Sequence, residues 1–201
     1  MRVTTRPALN PGNFALTGER RELADKIKLR YPEDRVASAI IPLLDLAQRE
    51  NKGWLSKEAI DFVAQETSSA SIRVYEVASF YSMFNMKPVG KHFIQVCRTT
   101  PCWLRGSDEL TNKVKSKLGI EIGETTEDGE FTLVEVECLG ACCNAPMVQI
   151  NDDYFEDLTP EHLDKLLDDL KAGRDVSIGS QAGRIGSAPE GGPQTLLETK
   201  G

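Results

Sequence analysis

The chain has 201 residues, of which 24 are basic and 31 acidic, giving a net charge of −7. That length fits one or two small domains. The acidic balance argues against nonspecific binding to nucleic acid or anionic membrane. No apolar run approaches the roughly 20 residues that span a bilayer, so direct membrane insertion is not expected.

The first 21 residues hold Arg2, Arg6, Arg20 and Arg21 but a single acid, Glu19, a bias faintly like that of a mitochondrial transit peptide. Asn10, Pro11 and Gly12 interrupt any amphipathic helix, and residues 1–17 read as a flexible arm. Residues 18–86 read as a helical bundle domain. A short helix over 18–30 carries Leu23, Ile27 and Leu29 and stops before Pro32. A second, from Asp34 towards Asn51, has Val36, Ile40, Leu43, Leu44 and Ala47 on its apolar side; Pro42 should kink or split it, and Gly53 ends it. Two more follow Ser56 and Ser71, with Ile60, Val63 and Ala64 on one and Val74, Val77, Ala78 and Tyr81 on the other.

Two short helices joined by "TSSAS" suggest one alternative, an iron-sulfur transcriptional sensor of helix-turn-helix type. Its charge pattern is unfavourable. Lys57 and Arg73 are the basic residues from Ser56 to Phe84, against Glu58, Asp61, Glu66 and Glu76, so such a recognition helix would hold phosphates poorly. The stretch from Tyr75 to Met86 is dense in Phe80, Tyr81, Met83 and Phe84. These occupy more than one helical face, and some of them are expected to meet a partner subunit.

Residues 87–174 read as an α/β domain behind a linker of Lys87, Pro88, Val89 and Gly90. "KHFIQVC" and "FTLVEVEC" are short alternating runs that end at Cys97 and Cys138. Between them Ser107–Leu118 reads as a helix: Ser107 as cap, Asp108 and Glu109 at its positive end, Leu110, Val114 and Leu118 as its stripe, and Gly119 as its left-handed stop. Strand, helix, strand in that order predicts a parallel βαβ unit, which places both strand ends on one edge of the sheet. Two cysteine loops separated by 35 residues should therefore emerge side by side. Met147–Ile150 reads as a further strand, with a turn at 151–153 and a return at Tyr154 and Phe155. Pro146 lies just before that strand. The last helix has Thr159 as cap, Pro160 first, Leu163, Leu166, Leu167 and Leu170 as its buried stripe, and Gly173 as its stop. Residues 175–201, rich in Gly, Ser and Pro and without aromatics, should be extended or disordered, with Ile185, Leu196 and Leu197 as possible anchors on a partner.

The cysteines carry the chemistry. Cys97 and Cys102 are spaced C-x4-C, and Cys138 and Cys142 C-x3-C. Five cysteines make an odd count, no secretory leader is evident, and the C-x-x-C of a thiol oxidoreductase is missing, all of which disfavour disulfides. Structural zinc usually takes tighter knuckles, often with histidine, whereas the two histidines here are His92 and His162. The longer loops suit a two-iron rhomb better than a single ion. Spacing leaves the last ligand open, because Cys138 to Cys143 is also C-x4-C. There is no G-x-G-x-x-G behind a strand, no P-loop, and no nucleophile–histidine–acid set. No catalytic residue is therefore assigned, and the chain reads as an electron carrier that needs a catalytic partner.

"VCRTTPCWLRGSDEL", "LGIEIGETTEDGEFTLVEVECLGACCNAPMVQIND" and "YFEDLTPEHLDKLLDDLKAG" closely resemble the small 2Fe-2S subunit of the NADH-oxidising module of respiratory complex I. The resemblance runs from about Tyr31 into the tail. It implies a thioredoxin-like 2Fe-2S ferredoxin domain (βαββα) behind a helical region, with Cys97, Cys102, Cys138 and Cys142 as the ligands of one 2Fe-2S cluster. Cys142 is then preferred over Cys143, which becomes a packed or partly exposed thiol. It also implies a partner subunit that carries FMN and the NADH site, together with other peripheral-arm subunits. The expected location is the cytoplasmic face of a bacterial inner membrane, or the matrix side of a mitochondrial one. Similar small subunits serve NAD-linked hydrogenases and formate dehydrogenases, which gives a diaphorase small subunit as the nearest alternative.

Overall fold

A computed structural model describes residues 7–8, 12–189, 191–192 and 194–195. The chain divides into two compact units, Met1–Val89 and Gly90–Gly201.

The first unit is helical: α1 (Gly18–Lys28), a 3-10 segment (Glu33–Ala39), α2 (Ile40–Glu50), α3 (Lys57–Glu66) and α4 (Ser71–Phe80). The expected long second helix splits at Ala39/Ile40, ahead of Pro42. The proline thus lies in the first turn of α2, where its missing N–H costs no helical hydrogen bond. Ser56 caps α3, its Oγ accepting from the Ala59 N–H at 3.2 Å. Leu43, Leu44, Leu55, Ile60, Val63 and Val74 fill the core with a set of alanines, Ala24, Ala39, Ala47, Ala59 and Ala78, that let the helix backbones approach closely. On α1 the buried face is Ala24 and Ile27, while Leu23 and Leu29 stay exposed. Part of the expected arm is also ordered: Leu16 is buried, and Phe14 meets Phe62 edge-on with centroids 5.3 Å apart. Glu66 gathers charge on this unit's surface, bonding Arg21 at 2.7 Å and Lys28, while Asp25 bonds both cations from the other side. Of the aromatic stretch, Phe84 is buried whereas Phe80 is 80% exposed, with Tyr81 and Met83 also at the surface.

The second unit is a five-stranded mixed sheet in the order β2-β1-β3-β4-β5. Its elements are β1 (His92–Cys97), α5 (Thr100–Leu104), α6 (Ser107–Leu118), β2 (Phe131–Val136), β3 (Val148–Ile150), β4 (Asp153–Glu156), α7 (Pro160–Lys171) and β5 (Gly179–Ser180). β1 and β2 pair in parallel, as the strand–helix–strand order predicts, with Ile94 opposite Leu133 and Cys97 opposite Val136. β3 runs antiparallel to both β1 and β4. Leu110 and Val114 of α6 and Leu163, Leu166 and Leu167 of α7 share one core with Ile94, Val96, Phe131, Leu133, Val148, Ile150 and Phe155 of the sheet. Gly90 lies so close to the β2 backbone that a Cβ there would stand 2.7 Å from the Phe131 carbonyl carbon. Its N–H donates to Thr132 Oγ1 at 2.6 Å.

Several local expectations meet small corrections. The N-cap of α6 is Gly106 at φ 94°, not Ser107, which is buried inside the first turn with an unpaired Oγ. Gly119 closes that helix at φ 68° as expected, and Thr159 caps α7 by accepting from the His162 N–H at 3.2 Å. The Ala145–Pro146 peptide is cis. β5, within the segment read as extended or disordered, lies parallel to β4 with Phe155 opposite Gly179 and Glu156 opposite Ser180. At the other margin, residues 123–126 lie along the outer edge of β2: the Gly123 N–H donates to the Leu133 carbonyl, the Leu133 N–H to that of Glu124, and the Thr126 N–H to that of Phe131. Ile185 is exposed, and Leu196 and Leu197 fall outside the described residues. Among the described residues, no helix is long and apolar enough to cross a membrane.

Candidate metal centre

The parallel pairing of β1 and β2 sends both cysteine loops off the same edge of the sheet. Cys97 is the last residue of β1, and Cys102 lies in α5, a five-residue helix with Thr99 as N-cap and Pro101 in its first turn. Cys138 follows β2 by two residues, and Cys142 opens a 3-10 turn, Cys142–Asn144, that leads into β3. Cys97, Cys102, Ala145 and Met147 form a small apolar cluster against which Leu139, Ala141 and Tyr154 pack. The Tyr154 hydroxyl donates to the Leu139 carbonyl at 2.8 Å and ties the second loop to β4.

The four sulfurs fall into two pairs. Cys138 Sγ and Cys142 Sγ are 3.6 Å apart, both exposed. Cys97 and Cys102 are both buried and lie in one apolar cluster. In each pair the ionisation is uneven. Burial, and then the neighbouring Cys97, push the Cys102 thiol up to about 12. Burial also opposes ionisation of Cys97, but hydrogen bonds from the Thr99 hydroxyl and from the backbone at Thr99 and Leu139 outweigh it and bring Cys97 down. Cys138 is lowered chiefly by the Gly140 N–H, 3.4 Å from its sulfur, while Cys142 is raised by the hydrogen bond it shares with Cys138. Gly140 makes that donation at φ 84°, a left-handed conformation that favours glycine.

This donor set fits a two-iron cluster. Four thiolates, presented two and two, match a rhomb in which each iron takes two protein sulfurs. Backbone N–H groups already directed at sulfur would stabilise added negative charge there. Of the charged residues that flank the cysteines, Arg98 pairs with Glu135 at 3.5 Å, so each offsets the other, and Glu137 is exposed.

The sulfur that meets Cys138 is that of Cys142; the Cys143 thiol is exposed. His92 lies at the start of β1, buried, with its ring 5.2 Å from Phe131, and burial lowers its pKa. His162 sits in the first turn of α7. The approach of the Leu139 and Met147 backbone to the buried cysteines had no sequence signal, because it depends on backbone brought in from a different loop; α5 was missed although Thr99 and Pro101 are local signals for it.

The sequence matches the family model described as Thioredoxin-like [2Fe-2S] ferredoxin over residues 24–171. It is 57% identical over 159 residues to one of the subunits of the NADH-quinone oxidoreductase of Rickettsia bellii, covering 79% of this chain and 95% of that protein. It is 53% identical over 185 residues to the mitochondrial NADH dehydrogenase [ubiquinone] flavoprotein 2 of Dictyostelium discoideum, covering 92% and 75% respectively. Among solved structures, an NAD+-reducing [NiFe]-hydrogenase in its air-oxidised state superposes with a TM-score of 0.58 at 22% identity, over 65% of this chain and 23% of that one, a likeness of fold. With two cysteine pairs on one edge of a thioredoxin-like sheet and this match over most of its length, the chain belongs to the thioredoxin-like 2Fe-2S ferredoxin family.

Proposed function

We propose that this chain is the small electron-transfer subunit of an NADH:quinone oxidoreductase. In this reading it holds one 2Fe-2S cluster on Cys97, Cys102, Cys138 and Cys142, beside a partner subunit that binds FMN and NADH and among further peripheral-arm subunits. It would sit on the cytoplasmic face of a bacterial inner membrane or the mitochondrial matrix side. The sulfurs at the common edge of β1 and β2 support the cluster, and the observation that carries the parent complex is the 57% identity, over 159 residues, to a subunit of the Rickettsia bellii NADH-quinone oxidoreductase.

The cluster supplies a site that takes up and releases one electron at a time. The protein's part is electrostatic and positional. Thiolate is the ligand form, so loading must displace the protons held by Cys102 and Cys142. The backbone donors at Cys97, Cys102 and Cys138 then face sulfur whose negative charge increases on reduction, and they favour the reduced state. Burial of Cys97 and Cys102 acts in the opposite sense, since low dielectric disfavours added charge. Phe80, Tyr81 and Met83 offer apolar surface on the helical unit to a partner subunit.

Anaerobic loading of the full chain with iron and sulfide tests the reading. The loaded protein is expected to be brown, to contain two irons and two sulfides, and on reduction to give a paramagnetic signal of one spin per cluster. NADH should reduce it in the presence of the flavoprotein partner and not in its absence. A colourless protein that takes one zinc overturns the assignment.

A further inference from the structure

The loop that bears Cys142 is held from behind by the C-terminal segment. Asp157 follows β4 at φ 53°, a strained conformation for a residue other than glycine, with a side chain 8% exposed. Its N–H donates to the Asn144 carbonyl at 2.8 Å, and its Oδ2 accepts from Asn144 Nδ2 at 2.9 Å. Asn144 is fully buried and ends the 3-10 turn begun by Cys142. Two residues of the tail converge on the same carboxylate: the Ser180 hydroxyl donates to Oδ2 at 2.6 Å, and Arg184 Nη1 to Oδ1 at 3.1 Å. The second arm of the Arg184 guanidinium, Nη2, donates to the Cys143 carbonyl at 2.9 Å. Ser180 also accepts the N–H groups of Ala182 and Arg184, and the Gln181 N–H donates to the Glu156 carbonyl, so the turn that presents Arg184 is itself fixed.

We infer that the segment 179–184 is a clasp on the metal-bearing loop, in which Arg184 and Asp157 are positioning residues for Cys142. The inference rests on the cluster assignment proposed above. The planar fork of arginine bridges a carboxylate and a backbone carbonyl at once, which an ammonium, a single point of charge, does not reproduce. Asp157 links that fork to Asn144 and so grips the Cys142–Asn144 turn at two successive residues, Cys143 and Asn144. Neither clasp residue is near Cys142 in sequence, and neither is itself a ligand. A loosened turn would leave Cys142 free to shift at the exposed end of the site.

The test uses the full chain loaded with its cluster, comparing the unaltered protein with Arg184→Gln, Arg184→Lys and Asp157→Asn. The rate of iron loss to excess EDTA, the paramagnetic spectrum of the reduced cluster and the midpoint potential are recorded, with thermal unfolding of the metal-free chains as the control for general stability. Arg184→Gln and Asp157→Asn are expected to lose iron roughly tenfold faster, the lower end of what outer partners of metal ligands contribute, and to alter the paramagnetic line shape. Arg184→Lys should restore neither property. If Arg184→Gln matches the unaltered chain in both, or if lysine restores both, the clasp is refuted while the cluster assignment stands. An unaltered chain that loads no two-iron cluster refutes the proposed function and the clasp together.

Discussion

The helical unit and the cysteine-bearing edge of the sheet solve opposite problems. In the first, stability comes from side chains that leave water and meet one another: Leu43, Leu44, Leu55, Ile60 and Val63 are closed in by alanine contacts, and the charges on α1 and α3 neutralise one another on the surface. At the edge of the sheet, two of four sulfurs remain exposed and two are buried, Cys102 as a thiol raised by that burial. The organisation there lies in the backbone, whose N–H groups are aimed at sulfur. A hydrophobic core is complete without help from outside. A metal loop is built for a ligand set that costs free energy until the metal arrives.

Substitutions of similar size should therefore read out in different currencies in the two regions. Cys102→Ser is expected to lower visible cluster absorbance to under about a tenth of that of the unaltered chain, because it removes one of the four proposed ligands, while the metal-free chain unfolds at nearly the same temperature. Cys143→Ser should leave the absorbance intact; a cluster that survives Cys142→Ser and is lost with Cys143→Ser would reassign the ligand. In the helical unit, Leu44→Ala should cost about 3 kcal/mol in denaturant unfolding of the metal-free chain, since Leu44 is fully buried and its removal leaves a cavity.

The smallest effect sharpens the contrast through pH. Burial opposes ionisation of Glu66, yet hydrogen bonds from Arg21 and Lys28 outweigh it, so its pKa falls below the usual carboxylate value. A lowered folded-state pKa means that this stabilisation is present above the unfolded value and is lost as pH falls through the folded one. Glu66→Gln should therefore cost on the order of 1 kcal/mol near neutral pH, with the difference from the unaltered chain vanishing under acid conditions. Cluster loading should show the related pH sense for a different reason. It proceeds faster at about pH 8.5 than at about pH 6.5, because the raised thiols of Cys102 and Cys142 must release protons to bind iron.

How much of this was legible in the sequence depended on how local the cause was. Thr159, Pro160 and Gly173 define α7 from within the helix and its flanks, and the observed boundaries, Pro160–Lys171, follow them. β1 and β2 announce themselves by alternation, and their parallel pairing follows from the helix between them. Ser107 misled because a hydroxyl ahead of two acids looks like a cap, whereas Gly106 at φ 94° takes that position and turns Ser107 inward. β5 has only Gly179 and Ser180, too few side chains for any periodicity, and its place is set by hydrogen bonds to β4. The pairing of Cys142 with Cys138 could not be read from spacing alone, since Cys143 satisfies the same rule. The 3-10 turn decides which sulfur meets Cys138.

The sheet is also finished at both of its margins. An exposed strand edge is a template on which a foreign strand can grow. Here two residues of the chain's own tail occupy the seat beside Phe155 and Glu156, and the 123–126 segment takes the hydrogen-bonding groups of Phe131 and Leu133 on the far side. At those positions the rungs of β4 and β2 are already taken by the chain itself, so a foreign strand could not pair directly with Phe155, Glu156, Phe131 or Leu133 without displacing a segment of this chain.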